Sequence, residues 1–212
     1  MNMVKFNNDL IIEKALSLAI EDGFHSISAR NVAKAVGCSI SPVYTAFENI
    51  NELIKATKEK ASTLIQEYIF DEYTETKFLN LVIGLLMFAD EYPTLYKELL
   101  IDNSNSIIER DIRKEFLKLL SEDPIAQFMK KKDLDIIFTK VWFITHGLAT
   151  SICSGSLNIE NKSDYIVLLG EIVKDLIFSA LERSGNYGYY NNYINNKNIE
   201  PLNYSFDWDI IK

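Results

Sequence analysis

Between Ser28 and Leu53 the chain reads SARNVAKAVGCSISPVYTAFENINEL: two short helical patterns joined at a Gly-containing turn, with a third after an aromatic stop. No other stretch restricts the fold so tightly. Ser28 is placed to cap a helix whose apolar positions are Ala29, Val32, Ala33 and Val36, and Gly37 stands where a helix commonly ends in the left-handed conformation. The second pattern is short. Ser39 or Ser41 would cap it, Pro42 falls in its first turn where a missing N–H costs little, and Val43 and Phe47 share a face while Ser41, Tyr44 and Thr45 point elsewhere. Asn49 and Glu52, three apart, form a capping-box-like start for the third helix. The whole is the outline of a helix-turn-helix with a supporting helix.

The flanks complete a small head. A first helix is expected from Asn8 to Asp22, with Leu10, Ile11, Ala15, Leu18 and Ala19 among its apolar positions and Gly23 past its end. Phe24 and Ile27 would pack under the motif helices, and His25 would face solvent. The third motif helix continues to about Tyr68, carrying Leu53, Thr57, Ala61, Leu64 and Tyr68 on one stripe. It leaves the head and enters the body, either as a rigid transmitting element or as an ordinary linker helix.

The body is expected to be helical throughout. Segments near 75–91, 93–101, 105–120, 124–131, 134–154 and 163–183 have helical spacing or strong helix formers, punctuated by Pro93, by 121–124 and by Gly155; no β-alternating run stands out. Phe78, Leu81, Val82, Leu85, Leu86, Phe88 and Ala89 crowd one helix, too apolar for a one-sided surface helix, so burial on most sides is expected. Asp133 and Ser163 would cap the last two helices. Ile166, Leu169, Val173, Leu176, Ile177 and Ala180 line one broad apolar face of the second, more than one core needs, and mark it as a self-association surface. Residues 186–198, rich in Asn and Tyr without a period, read as a loop or disordered tract, and PLNYSFDWDIIK after them as a mobile or docked end. This divides the chain into a head at 1–55, a helical body at 56–183 and a tail at 184–212.

Charge restricts the chemistry further. The net charge of −8 is unsuited to nucleic-acid binding over the whole surface, but residues 1–60 hold seven basic and seven acidic side chains, so the acidity belongs to the body. A neutral head carrying Lys5, Arg30 and Lys34 can still dock phosphates locally. Two distant cysteines, Cys38 and Cys153, lack metal-ligand spacing and read as reduced thiols; the N-terminus lacks an apolar core of signal-peptide type, and no uninterrupted apolar run has membrane-spanning length, so a cytoplasmic protein without cofactor or metal is expected. Two distant histidines, with no Gly-rich phosphate loop, no Cys-x-x-Cys and no Gly-x-Ser-x-Gly, argue against an enzyme.

The order Ser28-x-Arg30-x-Val32-Ala33, Gly37, Ser39, Tyr44-x-x-Phe47, Asn49-x-x-Glu52-Leu53 resembles the DNA-binding domain of TetR-type transcriptional regulators over roughly the first sixty residues. Trp142, His146 and Gly147 resemble a Trp-His-Gly signature in the regulatory domain of one TetR-type subgroup. The resemblance implies an all-α homodimer whose heads bind a palindromic operator and whose C-terminal helix pairs form a four-helix interface. It places Ile40, Ser41, Pro42, Tyr44 and Thr45 toward the major groove, Ser39 beside them in the turn, Arg30 within reach of a base or phosphate, and Ser28 and Asn49 near phosphates. Ile50 and Ala46 depart from the Lys and His of many relatives, so two backbone contacts are expected to be absent.

In such a fold a small, largely apolar effector would sit between body helices, with Phe88, Tyr92, Tyr96, Trp142, Phe143 and His146 as candidates. Aromatics at helical spacing are also what a plain core contains. The expected function is a ligand-responsive repressor; the alternative is a helical interaction or small-molecule-binding protein whose head has lost useful DNA affinity.

Overall fold

The computed structural model describes residues 7–102, 107–157 and 161–197, all helices and short connections with no strand among them. The described residues fall into two compact units, 7–67 with 92–102, and 68–91 with 107–197.

In the first unit, α1 (Asn8–Asp22) buries Ile11, Ala15, Leu16 and Ala19 against α2 (Ala29–Val36). Its N-cap Asn7 accepts from the Asp9 N–H, and the Gly23 N–H closes the last turn on the Ala19 carbonyl. A 3-10 turn at Phe24–Ser26 follows, with Phe24 and Ile27 buried and His25 exposed, as expected. Ser28 caps α2 by accepting from the Asn31 N–H, and Gly37 ends it at φ 79°, ψ 34°.

The short helix α3 (Ser41–Ala46) corrects one expectation. Neither Ser39 nor Ser41 caps it; Ile40 holds the cap position with helical backbone angles and no side-chain bond, while Ser41 is already inside the helix and its carbonyl accepts from the Thr45 hydroxyl at 2.9 Å. Asn49 does start α4 (Ile50–Ile69), accepting from the N–H groups of Asn51 and Glu52 at 3.0 and 3.1 Å. Glu52 reaches back to the Glu48 N–H at 3.1 Å. The buried stripe of α4 is Leu53, Thr57, Ala61, Ile65 and Ile69, an unbroken i, i+4 row, rather than one ending on the half-buried Leu64 and Tyr68.

One more segment belongs to this unit. Pro93–Tyr96 forms α6, which packs on α1 and widens directly into a π turn at Lys97–Ile101, with Leu95, Tyr96, Leu99 and Leu100 buried. Contacts distant in sequence bring residues 92–102 into this unit.

The second unit is built around α5 (Lys77–Glu91), which packs on α7 (Ile107–Glu122), α8 (Lys131–Cys153) and α9 (Lys162–Ser184). Every residue of α5 from Phe78 to Ala89 is buried, as its composition implied. Asn80 tolerates that position because its amide donates to the Thr74 carbonyl at 2.9 Å and accepts from the Thr74 N–H and hydroxyl. Aromatic rings pass from α5 through α7 into α8: Phe78 meets Phe116 at 5.6 Å, Phe116 meets Phe138 at 5.3 Å, and Phe138 stacks on Trp142 at 5.7 Å. Such contacts contribute about 0.5–1.5 kcal/mol each beyond area burial.

Three further expectations are corrected here. Asp133 is the third residue of α8, not its cap, and its carboxylate accepts from the Lys130 N–H at 3.1 Å; α9 begins after Asn161 without a side-chain cap, so Ser163 lies inside it. The 124–131 segment is only a 3-10 turn, Pro124–Phe128, capped by Asp123. The Asn/Tyr-rich tract is a helix, α10 (Tyr187–Lys197): Tyr190 and Tyr193 set their rings on Phe128 at 5.8 and 5.5 Å and Tyr187 meets Phe178 at 5.7 Å, tertiary contacts that outweigh the poor helix propensity of Asn. The terminal PLNYSFDWDIIK lies outside the described residues.

By length and hydropathy α8 alone among the described helices resembles a membrane span, a resemblance of length and composition only; Ile137, Phe138, Val141, Trp142, Thr145 and Ala149 are buried inside the unit.

Candidate nucleic-acid interface

The helix-turn-helix presents one face to solvent because a single buried residue anchors its second helix. Val43 is 2% exposed and α3 packs on α2, while Tyr44 is 56% and Ile40 43% exposed. Positions 40, 41, 44 and 45 therefore form a strip of Ile, Ser, Tyr and Thr on the side of α3 opposite Val43. Large exposed apolar groups at consecutive helical-face positions are unusual on a water-facing surface and common where a partner covers them.

Of the other residues expected to face DNA, Arg30, Ser39 and Asn49 are exposed and Ser28 and Pro42 half-buried. Two of them are already engaged within the chain. The Ser28 hydroxyl oxygen accepts from Asn31 N–H at 3.1 Å, and the Asn49 side-chain carbonyl oxygen caps α4, so both side chains have their acceptor oxygens engaged at helix starts. Lys34 is exposed on α2 near the end of the same motif; Lys5 lies outside the described residues. Glu48 and Glu52 are exposed at the α3–α4 connection, the acidic part of a head with no net charge.

The candidate effector residues are divided between the two units. Tyr92 and Tyr96 belong to the first unit, Tyr96 fully buried there. In the second unit Phe88 is fully buried and meets the Tyr68 ring at 5.6 Å, while Trp142 and His146 meet edge to face at 4.3 Å. Burial holds the His146 imidazole below its usual pKa, partly offset by the Glu109 carboxylate. Phe143 is 70% exposed and so lines no interior pocket, contrary to its place in that set. Sequence reasoning missed Thr145, fully buried on α8 with no hydrogen-bond partner for its hydroxyl. The second unit also bears an open groove of ≈ 530 Å³, lined by Phe70, Tyr73, Asn80, Leu81 and Leu119 among others and by none of the six candidates.

The α9 face assigned to self-association turns mostly inward. Leu169, Val173, Ile177 and Ala180 are at most 1% exposed within the chain itself, because α9 supplies the wall of its own core against α5 and α8; Ile166 and Leu176 keep partial exposure. Both cysteines are half-buried, the Cys153 thiol lying 3.7 Å from the Ala89 carbonyl, and among the described residues no group of His, Cys, Asp and Glu is arranged to hold a metal ion.

Residues 11–57 match the family model described as bacterial regulatory proteins, tetR family; the match stops short of Trp142, His146 and Gly147. No curated protein matches the chain by sequence. Among solved structures, the chain is similar to a tetR-family transcriptional regulator from Streptomyces coelicolor, with a TM-score of 0.62 at 15% identity over 88% of each chain. It is also similar to a TetR-like transcriptional regulator from Rhodococcus sp. RHA1, with a TM-score of 0.58 at 14% identity over 86% of this chain and 98% of that one. A third likeness is to the fatty acid degradation regulator FadR from Bacillus halodurans, with a TM-score of 0.54 at 18% identity over 84% of this chain and 96% of that one. The chain thus carries a tetR-type helix-turn-helix domain at residues 11–57 and has the all-α fold of TetR-type regulators.

Proposed function

We propose that this protein is a sequence-specific DNA-binding transcriptional regulator, a homodimer that represses and releases its operator when a small effector binds the helical body. The observation that carries the reading is the exposed Ile40–Ser41–Tyr44–Thr45 strip on a helix held by buried Val43, inside the segment that matches the tetR model. A helix in the major groove reads base edges with such groups, hydroxyls by hydrogen bonding and apolar atoms against thymine methyls, while Arg30, Ser28, Ser39 and Asn49 take the backbone. Pro42 shapes the start of the reading helix.

Self-association, on this reading, uses what α8 and α9 leave exposed, Phe143 with Ile166 and Leu176, and pairs two heads for a palindromic site. The effector is neutral and largely apolar: Phe88, Trp142 and a His146 kept uncharged by burial are the groups that would meet it in the second unit. The protein is cytoplasmic, non-enzymatic and needs no cofactor.

Fluorescence anisotropy of the full chain against DNA from immediately upstream of its own gene, at low and moderate salt with a scrambled duplex as control, tests this. Selective binding with two or more chains per site supports it. Absence of selective binding both there and to fragments selected from random DNA would overturn it in favour of a helical interaction protein.

A further inference from the structure

We infer that Glu98 is a positioning residue for the DNA-reading head, its carboxylate holding the corner from which the two motif helices are hung. The inference rests on the DNA-binding reading above.

The Phe24 N–H, 74 residues away in sequence, donates to Glu98 Oε2 at 2.8 Å. That N–H opens the 3-10 turn Phe24–Ser26, whose own cap position is Gly23, with no side chain to offer. Glu98 therefore supplies the missing cap, and an ionised acceptor makes it one of the stronger kinds of hydrogen bond. Gly23 is shaped for the arrangement in two ways. Its φ of +87° lies where side chains are strained, and a Cβ there would stand 2.5 Å from Glu98 Oε1 and 3.1 Å from Glu98 Cδ, so the carboxylate occupies the space a larger residue would fill.

From this corner the links continue to the reading helix. The Ser26 hydroxyl donates to the Gly23 carbonyl at 2.7 Å and lies 3.1 Å from the Leu18 carbonyl, tying the turn to α1. Asn31 of α2 donates its amide to the Ser26 carbonyl at 2.8 Å and its N–H to the Ser28 cap at 3.1 Å, and α2 packs on α3. Lys58 of α4 stands over the Phe24 ring at 5.1 Å. Displacing Phe24 thus displaces the start of α2, and with it the turn that carries Ile40, Ser41, Tyr44 and Thr45. Glu98 is itself seated by buried Leu95, Tyr96, Leu99 and Leu100 on the π turn Lys97–Ile101, a local widening often found at functional positions. An anionic side chain is no partner for phosphate, so its contribution to DNA binding is through the corner it holds.

The test is a set of variants assayed for operator affinity well below the unfolding temperature, with thermal stability measured alongside. Glu98→Ala removes the cap; Glu98→Gln keeps an oxygen that can accept from Phe24; Glu98→Asp keeps the charge but shortens the reach. Glu98→Ala should weaken operator binding roughly three- to thirtyfold with the salt dependence unchanged, since no phosphate contact is lost. Glu98→Gln should recover most of the loss and Glu98→Asp little. Gly23→Ala should cost less affinity in the Glu98→Ala background than in the wild type, because the collision with the carboxylate is gone.

A folded Glu98→Ala that binds like wild type, or Glu98→Asp binding better than Glu98→Gln, would overturn the inference; if Glu98→Ala does not fold, the Gln and Asp comparison decides alone. Wild-type protein without selective binding overturns the DNA-binding reading instead, so the two failures are separate.

Discussion

Gly84 in α5 lies against the main chain at the end of α4: a Cβ on Gly84 would stand 2.6 Å from the Tyr68 carbonyl carbon and 2.7 Å from Ile69 Cα, and would collide with the Tyr68 carbonyl oxygen. The neighbours are backbone and cannot rotate away. The glycine is therefore required by the close approach of two helices, not by its φ. Gly84→Ala should destabilise the protein by about 1–3 kcal/mol, the usual cost of overpacking, despite the better helix propensity of Ala. Gly147 in α8 is the control, since a Cβ there meets nothing within 4 Å, and Gly147→Ala should be neutral or stabilising by up to about 1 kcal/mol. Urea denaturation of the two variants beside wild type reads both signs.

Neighbouring positions on α3 separate stability from recognition. Val43→Ala empties a fully buried anchor and should lower the unfolding midpoint, by about 1–3 kcal/mol, with affinity falling as the helix loosens. Tyr44→Ala removes a ring that is 56% exposed and should change the midpoint little while weakening operator binding by about 1–3 kcal/mol, the range for a base-edge contact. Arg30→Ala should instead weaken binding to all sequences alike and reduce the salt slope by about 1 if its contact is a phosphate. Thermal melts and anisotropy on each variant distinguish the three patterns.

The parts of the fold readable from sequence were those decided within one turn of chain. The Asn8–Asp22 limits of α1, the Ser28 cap, the Gly37 stop and the Asn49 start of α4 follow from local hydrogen bonding, and each is found where the residues indicated. The buried course of α5 followed from composition alone. What was not readable depended on partners far along the chain. Nothing local shows that Phe24 takes its cap from Glu98, that residues 92–102 join the head, or that Phe128 turns the Asn/Tyr tract into α10. The same holds for the site. Spacing placed Val43 inward on α3 and Ser41, Tyr44 and Thr45 away from it, and those three are exposed, whereas the apolar face of α9 could not reveal whether its partner was the chain's own core.

Phe143 is the side chain on α8 that most calls for a partner, being 70% exposed in a helix otherwise turned inward at every fourth residue. If α8 and α9 carry the homodimer contact, Phe143→Glu puts a charge where a second copy must exclude water and should shift the protein to monomer without loss of helix content. Light scattering at micromolar concentration reads the mass, and operator affinity should fall with it because two half-sites can no longer be held together. A wild-type monomer, or a Phe143→Glu dimer as stable as wild type, removes Phe143 from the interface.

His146 makes acid stability informative about the interior of the second unit. Burial lowers its pKa from 6.5, with the Glu109 carboxylate only partly restoring it, so below pH 6.5 the unfolded chain takes up a proton at this residue before the folded one does. Stability from this source is complete above 6.5 and declines as pH falls, until the folded imidazole also charges and the loss levels off. Asp123 acts in the opposite sense, since burial raises its carboxyl above the ordinary 3.8 and lowering the pH through that region favours the folded state. The two effects are separable by variant: His146→Gln should flatten the stability profile just below pH 6.5 and leave the more acidic part untouched. Urea midpoints at half-unit pH steps give the profile. An apolar effector packed against Trp142 would deepen the burial of His146, so its presence should steepen the same decline in wild type and not in His146→Gln.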